Sequence, residues 1–131
     1  NIKNPMDLTP MATEAVYEEV IRALLKDLHV DVVIAAVVPL TPLIHALPGD
    51  VIPEKSLDSE KSITSRISRL AAQFDKPLVI VVDSGSLYDP LADAFQEGGL
   101  PVFRSADQAV WVLGKYIQGR LRVQRIIANQ K

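Results

Sequence analysis

The side chains best suited to chemistry in this chain are few, and most of them follow apolar runs. Asp83-Ser84-Gly85-Ser86 follows Leu78-Val79-Ile80-Val81-Val82 and precedes a helix start at Asp89-Pro90. Such a turn aims free backbone N–H groups and the positive end of a helix dipole outward, which suits a phosphate or another anion. The same small residues also make the ordinary strand-to-helix turn of many α/β proteins. Ser84, Gly85 and Ser86 are therefore candidates for a phosphate or a subunit contact. Asp7 and Asp83 lie at the ends of different predicted strands. Brought to one edge they could hold magnesium or share a proton; otherwise each caps its own loop. His45 lies in a proline-rich loop, a place for a general base or phosphoryl acceptor, although an ordinary exposed histidine is commoner there. His29 precedes an apolar run and is read as structural. Two isolated histidines define neither a Ser/His/Asp order nor a metal-ligand spacing. No late strand ends in the lysine that an aspartyl-phosphate receiver needs.

The elements that must position these residues follow from periodicity. Asn4-Pro5-Met6-Asp7-Leu8-Thr9-Pro10 is extended, because proline biases its predecessor toward β or polyproline geometry. Thr13 caps a helix carrying Val16, Val20, Ile21, Leu24 and Leu25, with Glu14 placed to suit the dipole. Val30 to Val38 is nearly continuous in apolarity, which predicts a parallel strand buried on both faces. Pro39, Pro42, Pro48 and Pro53 exclude a regular helix across the next stretch. Asp58 or Ser59 is expected to open a helix with the stripe Ile63, Ile67, Leu70 and Ala71. A second buried strand runs to Asp83, and Asp89-Pro90 reads as N-cap plus first helical residue. Gly98-Gly99 closes that helix with a left-handed cap. Leu100 to Arg104 is a short strand, and Ser105 caps a last helix on which Trp111 and Tyr116 are read as core residues. The basic tail after Gly119 either continues that helix or crosses to a partner. This strand–helix alternation predicts a flavodoxin-like α/β domain spanning residues 1–131, a three-layer parallel sheet. Ligands of such folds sit beyond the carboxyl ends of the strands, so the segments after Leu8, Val38, Asp83 and Arg104 should share one edge.

Composition bounds the function. At 131 residues the chain fits one domain, with 48% apolar, 23% charged and only 5% aromatic residues. The formal net charge of −2 argues against a nucleic-acid partner. Without cysteine there is no disulfide, thiolate nucleophile or cysteine-ligated metal. The longest apolar run, Val30 to Leu40, is interrupted by Asp31 and Pro39 and is too short for a membrane span. No signal peptide is visible, so the cytoplasm is the expected compartment. The chain starts at Asn1 rather than Met, which reads as processing or excision from something longer. A self-contained enzyme is not expected from so few reactive groups.

Asn4-Pro5-Met6-Asp7-Leu8-Thr9, then Ala12-Thr13, then Val30-Asp31-Val32-Val33-Ile34 resembles the nucleoside-diphosphate-forming acyl-CoA synthetases. These are the acetate–CoA ligase relatives of succinyl-CoA synthetase. Lys76-Pro77-Leu78-Val79 and Gly98 to Ala109 are similar to the closing strands of the second, flavodoxin-like CoA-ligase domain of that family. The resemblance covers most of the chain. It implies a fragment, inactive alone, of an enzyme that interconverts acid, CoA and NTP with acyl-CoA, NDP and phosphate through a phosphohistidine. That histidine belongs to a Gly-His loop in another domain, so neither His29 nor His45 inherits its role. Asn4, Pro5 and Asp7 would shape the active-site edge. CoA, ATP/ADP and magnesium are implied for the whole enzyme, with none bound by this domain alone. The implied partners are ATP-grasp and CoA-binding Rossmann domains.

The sequence departs from the family in two places. Pro39-Leu40-Thr41-Pro42 stands where succinyl-CoA synthetase has a glycine-rich turn. The family's opening strand, glycine-rich turn and helix do not precede the Asn-Pro-x-Asp segment here. In flavodoxin-like order that strand lies between an Asp7-Leu8 strand and the Val32 strand, so its absence exposes unpaired edges. Either the Asn1–Pro10 segment relocates or two copies pair through the edge as a homodimer. The rival reading from another class is a non-catalytic interaction or regulatory module dimerising through a sheet edge. A flavin- or nucleotide-binding domain is disfavoured by the lack of a Gly-x-Gly-x-x-Gly turn or a Walker-type lysine.

Overall fold

The computed structural model describes residues 3–49 and 56–130, so Asn1 and Pro53 lie outside the described residues. Helix α1, Glu14–Lys26, opens at Thr13, whose hydroxyl accepts from the Val16 amide, and buries Tyr17, Ile21 and Leu25 at four-residue spacing. Strand β1 is Val33–Ala36, β2 is Leu78–Val81 and β3 is Val102–Phe103. They form a parallel sheet in the order β1-β2-β3, with Val33 opposite Leu78 and Ile80 opposite Val102. Helix α2 is Ile63–Ala71, α3 is Asp89–Glu97 and α4 is Ala106–Ala128. Gly99 follows α3 at φ +84°, a conformation that glycine takes without a Cβ clash, and Leu100 donates back to the Phe95 carbonyl.

Alternate residues of the strands feed two cores. On one face Val33, Ala35, Val37, Leu78, Ile80 and Val82 pack against Tyr17, Ile21 and Leu25 of α1, Ile63, Ile67 and Leu70 of α2, and Leu91 and Phe95 of α3. On the other face Val79 and Val81 meet Ala109 and Leu113 of α4, with Val32, Phe103 and Ile117 alongside. The architecture is an open parallel α/β sheet with helices on both faces, as expected of a flavodoxin-like fragment.

Several expectations are corrected. Three strands form among the described residues; Asp7-Leu8 is not one, because its backbone lies outside the sheet. Strand β1 is buried on one face only, since Ile34 is 39% and Val38 53% exposed. The cause is the placement of α4, which packs on Val79, Val81 and Phe103 and leaves most of the β1 face bare. Trp111 and Tyr116 are exposed rather than core. At about 100° per residue, a helix that turns Ala109, Leu113 and Ile117 to the sheet turns Trp111 away. Helix α2 starts later than Asp58 or Ser59, at a Ser62 cap, because the chain first makes a turn in which Ser62 donates to the Ser59 carbonyl. Asp89 is the first residue of α3 rather than its cap, because a 3-10 turn over Ser86–Tyr88 runs straight into the helix. The tail continues α4. No helix among the described residues is long and apolar enough to cross a membrane.

One-sided burial of β1 makes a paired prediction. Ile80→Ala should cost about 2–5 kcal/mol in urea unfolding, the usual range for a fully buried isoleucine. Ile34→Ala, the same chemical change on the bare face, should cost less than about 1 kcal/mol.

Candidate functional site

In a parallel strand, alternate residues send their backbone groups to opposite sides. The Val33 amide donates to the Pro77 carbonyl at 3.0 Å and the Val37 amide to the Val81 carbonyl at 2.8 Å, so this set faces β2. Ile34 and Ala36 therefore present their N–H and C=O groups outward, where no strand among the described residues pairs with them. The Tyr17 hydroxyl donates to the Ala36 carbonyl at 3.5 Å. Burial pushes that hydroxyl's pKa up, and the nearby Asp7 carboxylate adds to the rise.

A cavity of about 600 Å³ runs along this edge. Its floor is α1, through Tyr17, Val20, Ile21 and Leu24; one wall is β1 and the other is the segment Lys3–Pro10. Asn4, Pro5 and Asp7 thus line one site directly beside β1, where an intervening strand was expected. The Asp7 carboxylate accepts from the Thr9 amide at 2.8 Å, and Thr9 sits at φ 64°, a strained conformation for a β-branched residue. Thr41 lines the same cavity, and its buried hydroxyl has no hydrogen-bond partner among the described residues. Asp83 does not line it, and no cluster of three or more potential metal ligands occurs among the described residues.

Ser84, Gly85 and Ser86 lie apart from that cavity, in the turn between β2 and α3. Arg104 holds the turn: its Nη2 donates to the Ser84 carbonyl at 2.5 Å and to Gly85 at 3.5 Å, while Nη1 pairs with Asp89 at 2.9 Å. The cation beside the turn is thereby engaged by carbonyl oxygens and by a carboxylate. Sequence spacing reads Arg104 as the end of a strand and gives it no such part.

The second residue it missed is Glu14. This carboxylate is buried, accepts from the His45 backbone amide at 2.6 Å and also bonds His45 Nδ1. When neutral, His45 then carries its proton on Nδ1 and keeps Nε2 as an acceptor. The pair ties the proline-rich loop to the start of α1 across 31 residues of sequence. Glu18 on the same helix joins Arg22 at 2.7 Å and Arg66 of α2 at 2.8 Å. The hydrogen bond from Arg66 is the main reason its carboxyl lies below the usual 4.5. Together these contacts hold the cavity floor. The arrangement offers apolar walls and strand backbone groups that no strand among the described residues pairs with. Comparison with protein families, curated proteins and solved structures returned no match.

Two measurements check these ties. Glu14→Ala should destabilise the chain by about 1–3 kcal/mol in urea, because two donors of His45 lose their acceptor. Glu18, whose pKa is lower folded than unfolded, contributes stability that is complete above 4.5 and is lost as pH falls through the folded value. Glu18→Gln should therefore lower the unfolding midpoint at neutral pH and flatten its decline below pH 4.5.

Proposed function

We propose that this chain is the closing part of the second CoA-ligase domain of an NDP-forming acyl-CoA synthetase. The observation that carries the reading is the unpaired edge of β1 beside a cavity walled by Asn4-Pro5-Met6-Asp7-Leu8. A parallel strand that is bare on one edge and one face needs a neighbouring strand and a covering element. The unit that precedes the Asn-Pro-x-Asp segment in the family is a strand, a tight turn and a helix, which has that shape. The Thr41 hydroxyl, buried and without a partner among the described residues, supports the same reading, because buried polar atoms in native proteins are almost always paired.

In this reading the complete enzyme converts acid, CoA and NTP into acyl-CoA, NDP and phosphate. ATP-grasp and CoA-binding Rossmann domains hold ATP/ADP, magnesium and CoA, and the phosphorylated histidine lies in a Gly-His loop elsewhere. Asn4, Pro5 and Asp7 shape the edge facing that chemistry, and Ser84, Gly85 and Ser86 form a phosphate or subunit contact. His45 stays a structural partner of Glu14.

The test assays NTP-dependent acyl-CoA formation from CoA and short carboxylic acids, in the 131-residue chain and in its full parent protein. The parent should turn over and carry a phosphohistidine outside residues 1–131; the isolated chain should do neither. Turnover by the isolated chain, or a parent with no such activity, overturns the proposal. A stable homodimer whose parent is inactive supports the edge-pairing interaction module instead.

A further inference from the structure

Helix α4 extends beyond the sheet it covers. Its sheet-facing row is Ala109, Leu113 and Ile117, and every residue from Gln118 to Ala128 is exposed. A second row lies roughly 100° around the helix from the first. Val112, Tyr116, Gly119, Val123 and Ile126 recur at alternating four- and three-residue steps, the seam of a coiled coil. The four side chains are 40%, 51%, 52% and 58% exposed. At Gly119 an added Cβ would meet no heavy atom within 4 Å, so the seam holds an open hole. Its upper end opens into a cavity of about 650 Å³ lined by Val112, Tyr116, Phe103 and Pro101.

The flanks decide what fits. Lys115, Arg120 and Arg122 border the seam, and no Asp or Glu occurs between Gln108 and Gln130. A second copy aligned antiparallel would set Val112 against Val123 and Tyr116 against Gly119, but also Lys115 against Arg122. A parallel copy sets Lys115 against Arg120. Both orientations bring cation onto cation, which disfavours self-pairing. A lipid surface is a poorer match too, because it favours one wide, unbroken apolar face. Here Arg120 and Gln124 separate the seam and the adjoining Ile127 from the exposed Leu121, and Trp111 lies off the seam under Lys115, whose Nζ is 5.8 Å from the ring centre.

We infer that this second row of α4, from Val112 to Ile126, docks a helix with an apolar seam flanked by Asp or Glu, on another protein or domain. This inference does not rest on the synthetase reading. The partner inserts a large side chain at Gly119 and sets carboxylates against Lys115, Arg120 and Arg122.

The test uses the full chain and two synthetic helical peptides of several heptads, both with Leu and Ile in the seam, one flanked by Glu and the other by Lys. Binding is followed by fluorescence anisotropy at low and high salt. The Glu-flanked peptide should bind, and more weakly at high salt, while the Lys-flanked peptide should not. Arg120→Glu with Arg122→Glu should weaken the first peptide at least about tenfold and admit the second. Val123→Asp should abolish binding with an unchanged urea midpoint, since it lies beyond the folded core. The inference is overturned if neither peptide binds, if both bind equally, or if charge reversal changes nothing. It is also overturned if the chain dimerises through α4, or binds phosphatidylserine vesicles in preference to the Glu-flanked peptide.

Discussion

A parallel strand is satisfied only when it is paired on both edges and covered on both faces, because its backbone alternates sideways and its side chains alternate up and down. Among the described residues β2 alone meets both conditions. It pairs with β1 and β3, and all four of its residues are buried. The rest of the structure is arranged by how far each element shares in that satisfaction. Helices α2 and α3 close one face of β2, and α4 closes the other. The short β3 and the one-sided β1 are stabilised largely through their neighbour.

Helix α1 lies beside the unpaired edge of β1. It packs on one face of the sheet through Tyr17, Ile21 and Leu25, yet Val20 and Leu24 look onto a cavity rather than a strand. Polar ties compensate for position: Tyr17 to the Ala36 carbonyl, Glu18 to Arg66, Glu14 to His45. A solvent-screened ion pair contributes about 0.2–1 kcal/mol and the buried Glu14–His45 tie about 1–3, whereas each of the many buried leucine, isoleucine or phenylalanine side chains contributes about 1.5–3 kcal/mol. The ties therefore fix where α1 lies, and the apolar core decides whether the domain folds.

Local rules were legible in the sequence wherever their cause is local. Thr13 and Ser105 cap their helices because a hydroxyl reaches an amide three residues on, and Gly99 turns the chain because only its own backbone matters there. What could not be read depends on distant parts of the chain. Helical spacing says that Val112, Tyr116 and Trp111 belong to one helix, not where the sheet beneath it ends. Glu14 looks like a dipole residue until His45 arrives from another element. Arg104 looks like part of a strand until its guanidinium meets the Ser84 carbonyl. Cross-chain partners of this kind leave no mark on spacing.

The sequence is also more apolar than the described fold requires. Val30 to Val38 is written for burial on both faces but receives it on one, and α4 carries a second apolar row that its own sheet does not use. The two surpluses differ in kind. Beside β1 the groups that no strand pairs with are backbone N–H and C=O, only the Ala36 carbonyl being met by Tyr17, so geometry rather than side-chain identity selects the occupant. Along α4 the backbone is already paired within the helix, and selection falls to seam shape and flanking charge. An unselective edge is safe only when its occupant is always at hand. A charge-reading seam can discriminate among freely diffusing partners, so the two surfaces are suited to different lifetimes of contact.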